Sequence, residues 1–393
     1  MRILVQELSE RNGGQASYKM LFEAMAKEFP NDQYIIICTK ESFYWSLSNL
    51  TNVQLITFDS SLLREWYRFR MEMFDIKRIA KKCKADVIWS GNNGPYFRTG
   101  IPQVLVMLNF FQVSPLSDAK YHPRSRLYLI IIRWFFRLSL RRCDAIQVEM
   151  PFVGEYIRCI SGAPQWIEVI PKAVESLQDF EPRPLSTELQ EIFDNNLGCS
   201  SFTFLYIATC LPHKNHKTVM AAIEILRNRG IAARLALSAT EEQLQQSYDA
   251  KKVSSLIKSG HILPLGWINK EQLAAIYDAS DACVMPSHLE QLSSANLEAM
   301  HWKKSQISTD LTFAHDLCGD ASLYANPNDP TDWADKMQTL IENSELQNQL
   351  ITNGLNRMKA FPQSWQEVAR KERVFLAEVV SKHKKGQEEH SFG

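Results

Sequence analysis

The sequence predicts an α/β protein built from two consecutive, doubly wound parallel-sheet domains. Three observations carry that prediction. Short, continuous apolar runs alternate with stretches of helical periodicity, as doubly buried strands and their crossover helices do. The alternation runs through twice, and a polar stretch holding Pro182 and Pro184 separates the two passes. The 393 residues exceed one ordinary core and suit two.

In the first pass, residues 3–6 read as a strand, 16–29 as a helix and 34–38 as a β-branched strand. Residues 70–82 read as a helix, and 87–90, 103–108, 145–148 and 168–170 as short strands. Residues 175–188 lose apolar periodicity and read as the linker. In the second pass the strands fall at 202–207, 234–237, 262–265 and 282–285. The helices fall at 217–228, 247–258, 270–279 and 295–302. The domain boundaries are therefore 1–174 and 175–360. A further helix covers 361–381, and the polar residues 382–393 read as a disordered tail. Two such domains in tandem predict a cleft facing the carboxyl ends of both sets of strands.

Composition narrows the function. Lys plus Arg balances Asp plus Glu at 44 each, which argues against generic nucleic-acid binding. The eight cysteines form no C-x-x-C pair and read as reduced core thiols. The N-terminus reads as a strand rather than a secretory signal, and no apolar run approaches the ~20 residues of a spanning helix. These features predict a cytoplasmic protein, with peripheral attachment to the membrane left open.

Two segments carry the chemistry. The first is Pro286-Ser287-His288-Leu289-Glu290-Gln291-Leu292-Ser293-Ser294-Ala295-Asn296-Leu297-Glu298-Ala299-Met300, after a predicted strand. Ser293 and Ser294 stand where a helix starts. The free N–H groups of that turn, from Ser293 through Ala295 and Asn296, together with the helix dipole, suit a diphosphate. Glu298 lies one turn inside, where a carboxylate can accept from two ribose hydroxyls. Glu290, in the loop, falls on the sugar side of the same diphosphate. The second segment is Thr209-Cys210-Leu211-Pro212-His213-Lys214-Asn215, after the first strand of the second domain. A lysine at the end of a strand can neutralise a leaving diphosphate, and His213 can add weakly to that charge.

The first segment resembles the E-x7-E element of retaining GT-B glycosyltransferases, chiefly family 4, which typically read E-G-F-G-L-P-V-L-E-A-M. Gln291 and Ser293 replace glycines, and Ala295 replaces the proline. The second resembles the G-T-L-x-P-R-K-N form, with Thr209 where other members carry Arg. Further likeness runs through Gly266–Leu273, Thr309–Ala321 and the Phe361-Pro362 pair with Trp365. It is good over about 200–375 and loose before 175. The resemblance implies two Rossmann-like domains facing across a cleft, with a C-terminal helix crossing back to the first. It also implies donor contacts at Gly13 and Gly14, which follow the first strand. Asn109 falls where relatives carry a histidine motif and would orient a sugar hydroxyl. Lys172 replaces the asparagine of V-I-P-N-G-V.

The implied reaction is transfer of a hexose from GDP-mannose or a UDP-sugar to a glycan or lipid-linked glycan, with retention. The nucleotide-sugar is a co-substrate, so no cofactor is expected. The absence of a suitably placed D-x-D predicts no metal. A glycosidase carboxylate pair fits poorly beside a phosphate site, and no G-x-G-x-x-G supports a dehydrogenase. A non-catalytic scaffold subunit and a nucleotide-sugar epimerase remain as alternatives.

Residues 62–74 and 121–142 interleave arginines with aromatics. Arg126, Arg133, Arg137 and Arg141 share nearly one helical stripe beside Trp134, Phe135 and Phe136. Two readings stand: a surface for an anionic membrane, or a core helix with one solvated arginine face.

Overall fold

The computed structural model describes residues 1–6, 13–39, 42–58, 70–91, 99–107, 110, 113–114, 123–174, 183–194 and 201–391, with backbone alone for 13–16, 123–126, 128 and 387–391. The described residues form two compact units. Leu177–Phe361 belongs to the second, and the residues up to Ser176 and from Pro362 onward to the first.

The first unit holds β1 (Arg2–Gln6), α1 (Gly13–Glu28), β2 (Gln33–Thr39), β3 (Val53–Phe58), α2 (Ile76–Lys82), β4 (Val87–Gly91), β5 (Gln103–Val106), α3 (Pro123–Leu140), β6 (Ala145–Val148), α4 (Pro151–Arg158) and β7 (Ile167–Val169). All seven strands are parallel, in the order β3-β2-β1-β4-β5-β6-β7. The period-2 pleat divides each central strand between two cores. Ile3, Val5, Val87 and Trp89 face α1, whereas Leu4, Ile35, Ile37 and Ile88 pack on Ile76 and Ala80 of α2. The helix expected over 70–82 opens with a π-helical turn at Met71–Asp75 before α2.

The second unit holds α5 (Thr187–Asp194), β8 (Phe202–Tyr206), α6 (His216–Asn228), β9 (Ala233–Leu237), α7 (Glu241–Ser247), α8 (Ala250–Lys258), β10 (Ile262–Pro264), α9 (Leu273–Asp278) and β11 (Ala282–Met285). It continues with α10 (Ser294–His301), β12 (Ser305–Thr309), α11 (Thr312–Cys318), β13 (Leu323–Ala325), α12 (Pro330–Glu342) and α13 (Ser344–Met358). The parallel order is β10-β9-β8-β11-β12-β13. Strand order reverses between β8 and β11, so the loops leaving those two neighbours diverge and open a crevice at their carboxyl ends. Residues 175–182 of the expected linker lie outside the described residues. By Arg183, whose N–H donates to the Glu271 carbonyl (2.8 Å), the chain is tied to the second unit.

The final helix, α14 (Trp365–Ser391), returns to the first unit. Trp365, Val368, Ala369, Phe375, Leu376 and Val379 are buried in the same core as Leu21, Phe22 and Met25 of α1. Arg373 pairs with Asp32, and Arg370 with Glu28 at 2.7 Å. The expected disordered tail is corrected here: residues 382–391 continue the helix. The Lys382 ammonium sits 3.6 Å from the Trp166 ring centroid, and His383 meets Asp144 at 3.0 Å. Composition marks this stretch as polar. It does not show that a docked helix already supplies the nucleus on which polar residues extend cheaply.

Glu372 of α14 is fully buried and accepts from the Trp89 indole N–H at 2.9 Å. Burial pushes its carboxyl up to about 8. A raised folded-state value favours the folded protein fully below the ordinary carboxylate range, and that contribution is lost as pH rises to about 8. Glu372→Gln keeps a carbonyl for Trp89 and removes the buried ionisation. Its expected effect is a Tm above wild type at pH 8, with the gap closing toward pH 5, read by thermal denaturation across that range.

Candidate active site

The site develops at the carboxyl ends of β8 and β11. After β8 the chain passes Ile207 to Leu211 and makes one 3-10 turn over Pro212–Lys214. At Asn215 it enters the left-handed region (φ 55°), a conformation asparagine tolerates better than most residues. The Asn215 amide donates to the carbonyls of Pro286 (3.1 Å) and Pro327 (2.8 Å), and its oxygen accepts from the Thr218 hydroxyl (2.8 Å). This one side chain therefore fastens together the loops that follow β8, β11 and β13. Tyr206, the last residue of β8, donates its hydroxyl proton to the Lys214 carbonyl (2.9 Å), so the Ser287 hydroxyl, 3.0 Å away, donates to Tyr206. The His288 N–H donates to the His213 carbonyl at 2.7 Å.

These cross-links bring the two sequence motifs together. Lys214 Nζ lies 2.5 Å from Glu290 Oε1, with both side chains largely shielded. His213 contributes no charge, contrary to the expectation. Burial, then the neighbouring Lys214 and His288, push its imidazole down to about 3. His216, packed against the Tyr206 ring, falls to about 4 for the same leading reason. Both rings are neutral near pH 7, and Lys214 carries the positive charge of this loop.

Helix α10 begins at Ser294, with Ser293 in the N-cap place. The Ser293 side chain makes no capping hydrogen bond, contrary to the capping role read from sequence, so the first-turn N–H groups lack that partner. Ser293 has φ −78° and ψ 106°, and Gln291 is not among the positive-φ residues. The lost glycines therefore require no left-handed backbone at these positions. Ser294 is exposed and Ala295 is buried. The Asn296 side chain does not face the helix end. It is buried and donates to Gln306 (3.0 Å) and Ser308 (2.8 Å) of β12, which leaves only its backbone for a ligand.

Glu298, one turn on, accepts from the Tyr277 hydroxyl at 3.0 Å. Burial raises its carboxyl above the usual range, opposed by Tyr277, Lys270 and Ser294. Thr209 is exposed, and its carbonyl accepts from the Leu211 N–H at 2.8 Å. Gly13 and Gly14 open α1 in the first unit. Asn109 lies outside the described residues. Sequence reasoning missed Tyr206, Ser287 and Tyr277 as supports and the buried clamp at Asn215. The position of Tyr206 at a strand end beside the lysine motif was the available signal.

The site therefore combines a lysine paired with Glu290, a helix N-terminus with no side-chain cap and a carboxyl group that accepts from a tyrosine. Residues 189–357 match the model of the family described as glycosyl transferases group 1. The O-antigen chain mannosyltransferase B of Escherichia coli is 23% identical over 278 residues, 70% of each chain. Among solved structures, sucrose-phosphate synthase of Thermosynechococcus elongatus superposes with TM-score 0.68 at 16% identity, covering 97% of this chain and 99% of that one. HepE of Anabaena, solved with UDP and glucose, gives TM-score 0.67 at 14% identity, covering 96% of this chain and 100% of that one. Residues 189–357 thus carry the likeness to glycosyl transferases group 1, and the chain has the GT-B fold, two Rossmann-like parallel-sheet units and a C-terminal helix packed on the first.

Proposed function

We propose that the protein transfers a hexose, with retention, from a nucleotide-diphosphate sugar to a glycan or lipid-linked glycan acceptor in cell-surface polysaccharide synthesis. The observation that carries this reading is the meeting of Lys214 with Glu290 beside the α10 N-terminus, one turn from Glu298. In the proposed step the C1–O bond to the diphosphate breaks as the acceptor oxygen bonds to C1 on the same face. The acceptor proton passes to a departing phosphate oxygen. Lys214 and the first-turn N–H groups stabilise the leaving diphosphate. Glu290 holds Lys214 and the donor sugar, and Glu298 binds the ribose. Lys214 and the first-turn N–H groups supply the positive potential without a metal, and the mechanism needs no cofactor.

The donor is GDP-mannose or a UDP-sugar. The mannosyltransferase relative favours the first, and the UDP-bound neighbour keeps the second open. A cytoplasmic location at the membrane face follows from a lipid-linked acceptor. No helix among the described residues is long and apolar enough to cross a membrane, so attachment would be peripheral. The test is nucleotide release from a panel of GDP-, UDP- and ADP-sugars, with and without EDTA. Release from one donor, unchanged by EDTA, is the expected result. Loss of release on chelation would overturn metal independence. Nucleotide binding without turnover on any donor and acceptor would instead favour a non-catalytic subunit.

A further inference from the structure

Helix α3 presents an uncovered apolar stripe. Leu127, Ile130, Ile131 and Trp134 are 61%, 52%, 46% and 58% exposed. They occupy positions i, i+3, i+4 and i+7, which is one face of an α-helix. The opposite face is the buried one, with Phe136, Ser139 and Leu140 turned inward. An apolar core helix with a solvated arginine face would have its large side chains inside. Here Trp134 and three branched residues lie outside.

The charge beside the stripe selects a partner. Residues 123–142 contain Arg124, Arg126, Arg133, Arg137, Arg141 and Arg142 and no Asp or Glu. At 100° per residue, Arg133 and Arg137 fall along one flank of the apolar stripe. Arg137 is exposed, and Arg141, just past the end of α3, is exposed with its Nε–H donating to the Ser161 carbonyl at 3.2 Å. A helix of 18 residues is roughly 27 Å long, so stripe and flank form a flat strip rather than a point contact. An apolar strip with a basic edge, on a segment that contains no acid, matches a surface that is anionic outside and hydrocarbon beneath. A protein partner of ordinary mixed charge would leave several arginines unmatched.

We propose that α3 is the docking face of this protein for an anionic lipid bilayer. The helix lies parallel to the surface, with Leu127, Ile130, Ile131 and Trp134 at the headgroup–acyl boundary and the arginine flank among the phosphates. The inference is independent of the transfer chemistry proposed for the second unit, and it supplies a reason for an acceptor carried on lipid.

The test is co-sedimentation of the full chain with vesicles of phosphatidylcholine alone and with added phosphatidylglycerol, over a salt series. Wild type is expected to bind the anionic vesicles at least tenfold more strongly than the neutral ones, and to weaken as salt rises. The double variant Ile130→Glu/Trp134→Glu is expected to lose at least tenfold in vesicle affinity. Arg137→Gln/Arg141→Gln should lose the preference for anionic lipid while keeping weak binding. Nucleotide binding by each variant, measured without vesicles, should match wild type, which separates failure of this surface from failure of the donor site. Because the altered side chains are exposed, folding is expected to survive; Leu127→Gln/Ile131→Gln gives a milder second pair. Two outcomes overturn the proposal. One is equal binding by wild type and the Glu variant, including absence of binding by both. The other is a dimer in solution that the Glu variant dissociates, which would make the stripe a contact between copies.

Discussion

Lys214→Ala is expected to lower the rate of nucleotide release by about 10²–10³-fold, with a smaller change in donor KM. The leaving diphosphate gains charge in the transition state, so a cation that touches it acts more on turnover than on binding. Removing the ammonium also leaves the Glu290 carboxylate, 2.5 Å away in the folded chain, facing the phosphates with no counter-charge. Lys214→Ala/Glu290→Gln should therefore recover part of the loss, and a double-mutant cycle would measure the coupling. Lys214→Arg keeps the charge on a longer, planar group and should fall between wild type and Ala. Equal rates for wild type and Lys214→Ala would remove this lysine from the mechanism.

Glu298→Ala is expected to weaken nucleotide binding by about 10–100-fold in calorimetry while leaving the unliganded protein as stable as wild type. A bond from a hydroxyl to a charged acceptor contributes roughly 1.5–3 kcal/mol, and the ribose offers two such hydroxyls. The unliganded protein loses little because the carboxyl is unfavourably placed there: burial raises it, and the Tyr277 hydroxyl at 3.0 Å only partly offsets that. Glu298→Gln keeps an acceptor for Tyr277 and is expected to raise Tm at neutral pH while still weakening nucleotide. A drop in affinity that merely tracked a drop in Tm would mean that Glu298 supports the fold and does not bind the donor.

Much of the site is local and therefore legible. The start of α10 at Ser294, the position of Glu298 one turn inside and the loop placement of Glu290 follow from cap and spacing rules that act within a few residues. Lys214 was legible for the same reason, in the loop that follows β8. Charge states were not legible. Sequence places His213 next to Lys214 and invites a second cation, whereas burial decides that it is neutral. Asn296 reads as a ligand candidate from its position in the first turn. Its side chain instead enters the core, because β12 presents Gln306 and Ser308 to it.

The sequence by itself determined two parallel α/β passes and ten of the thirteen described strands that form them, missing β3, β12 and β13, and it singled out the residues proposed to carry the chemistry. Periodicity and capping are short-range, and the chain writes them directly. Tertiary structure decided which distant pieces meet. Lys214 and Glu290 are 76 positions apart and touch because β8 and β11 are neighbours where the strand order reverses. It also decided which faces are covered. The arginine and apolar pattern of α3 fits a buried helix and a surface one equally, and only packing leaves Leu127, Ile130, Ile131 and Trp134 outside. Burial is a property of the neighbours a face acquires, and crossover connections supply those neighbours from far along the chain.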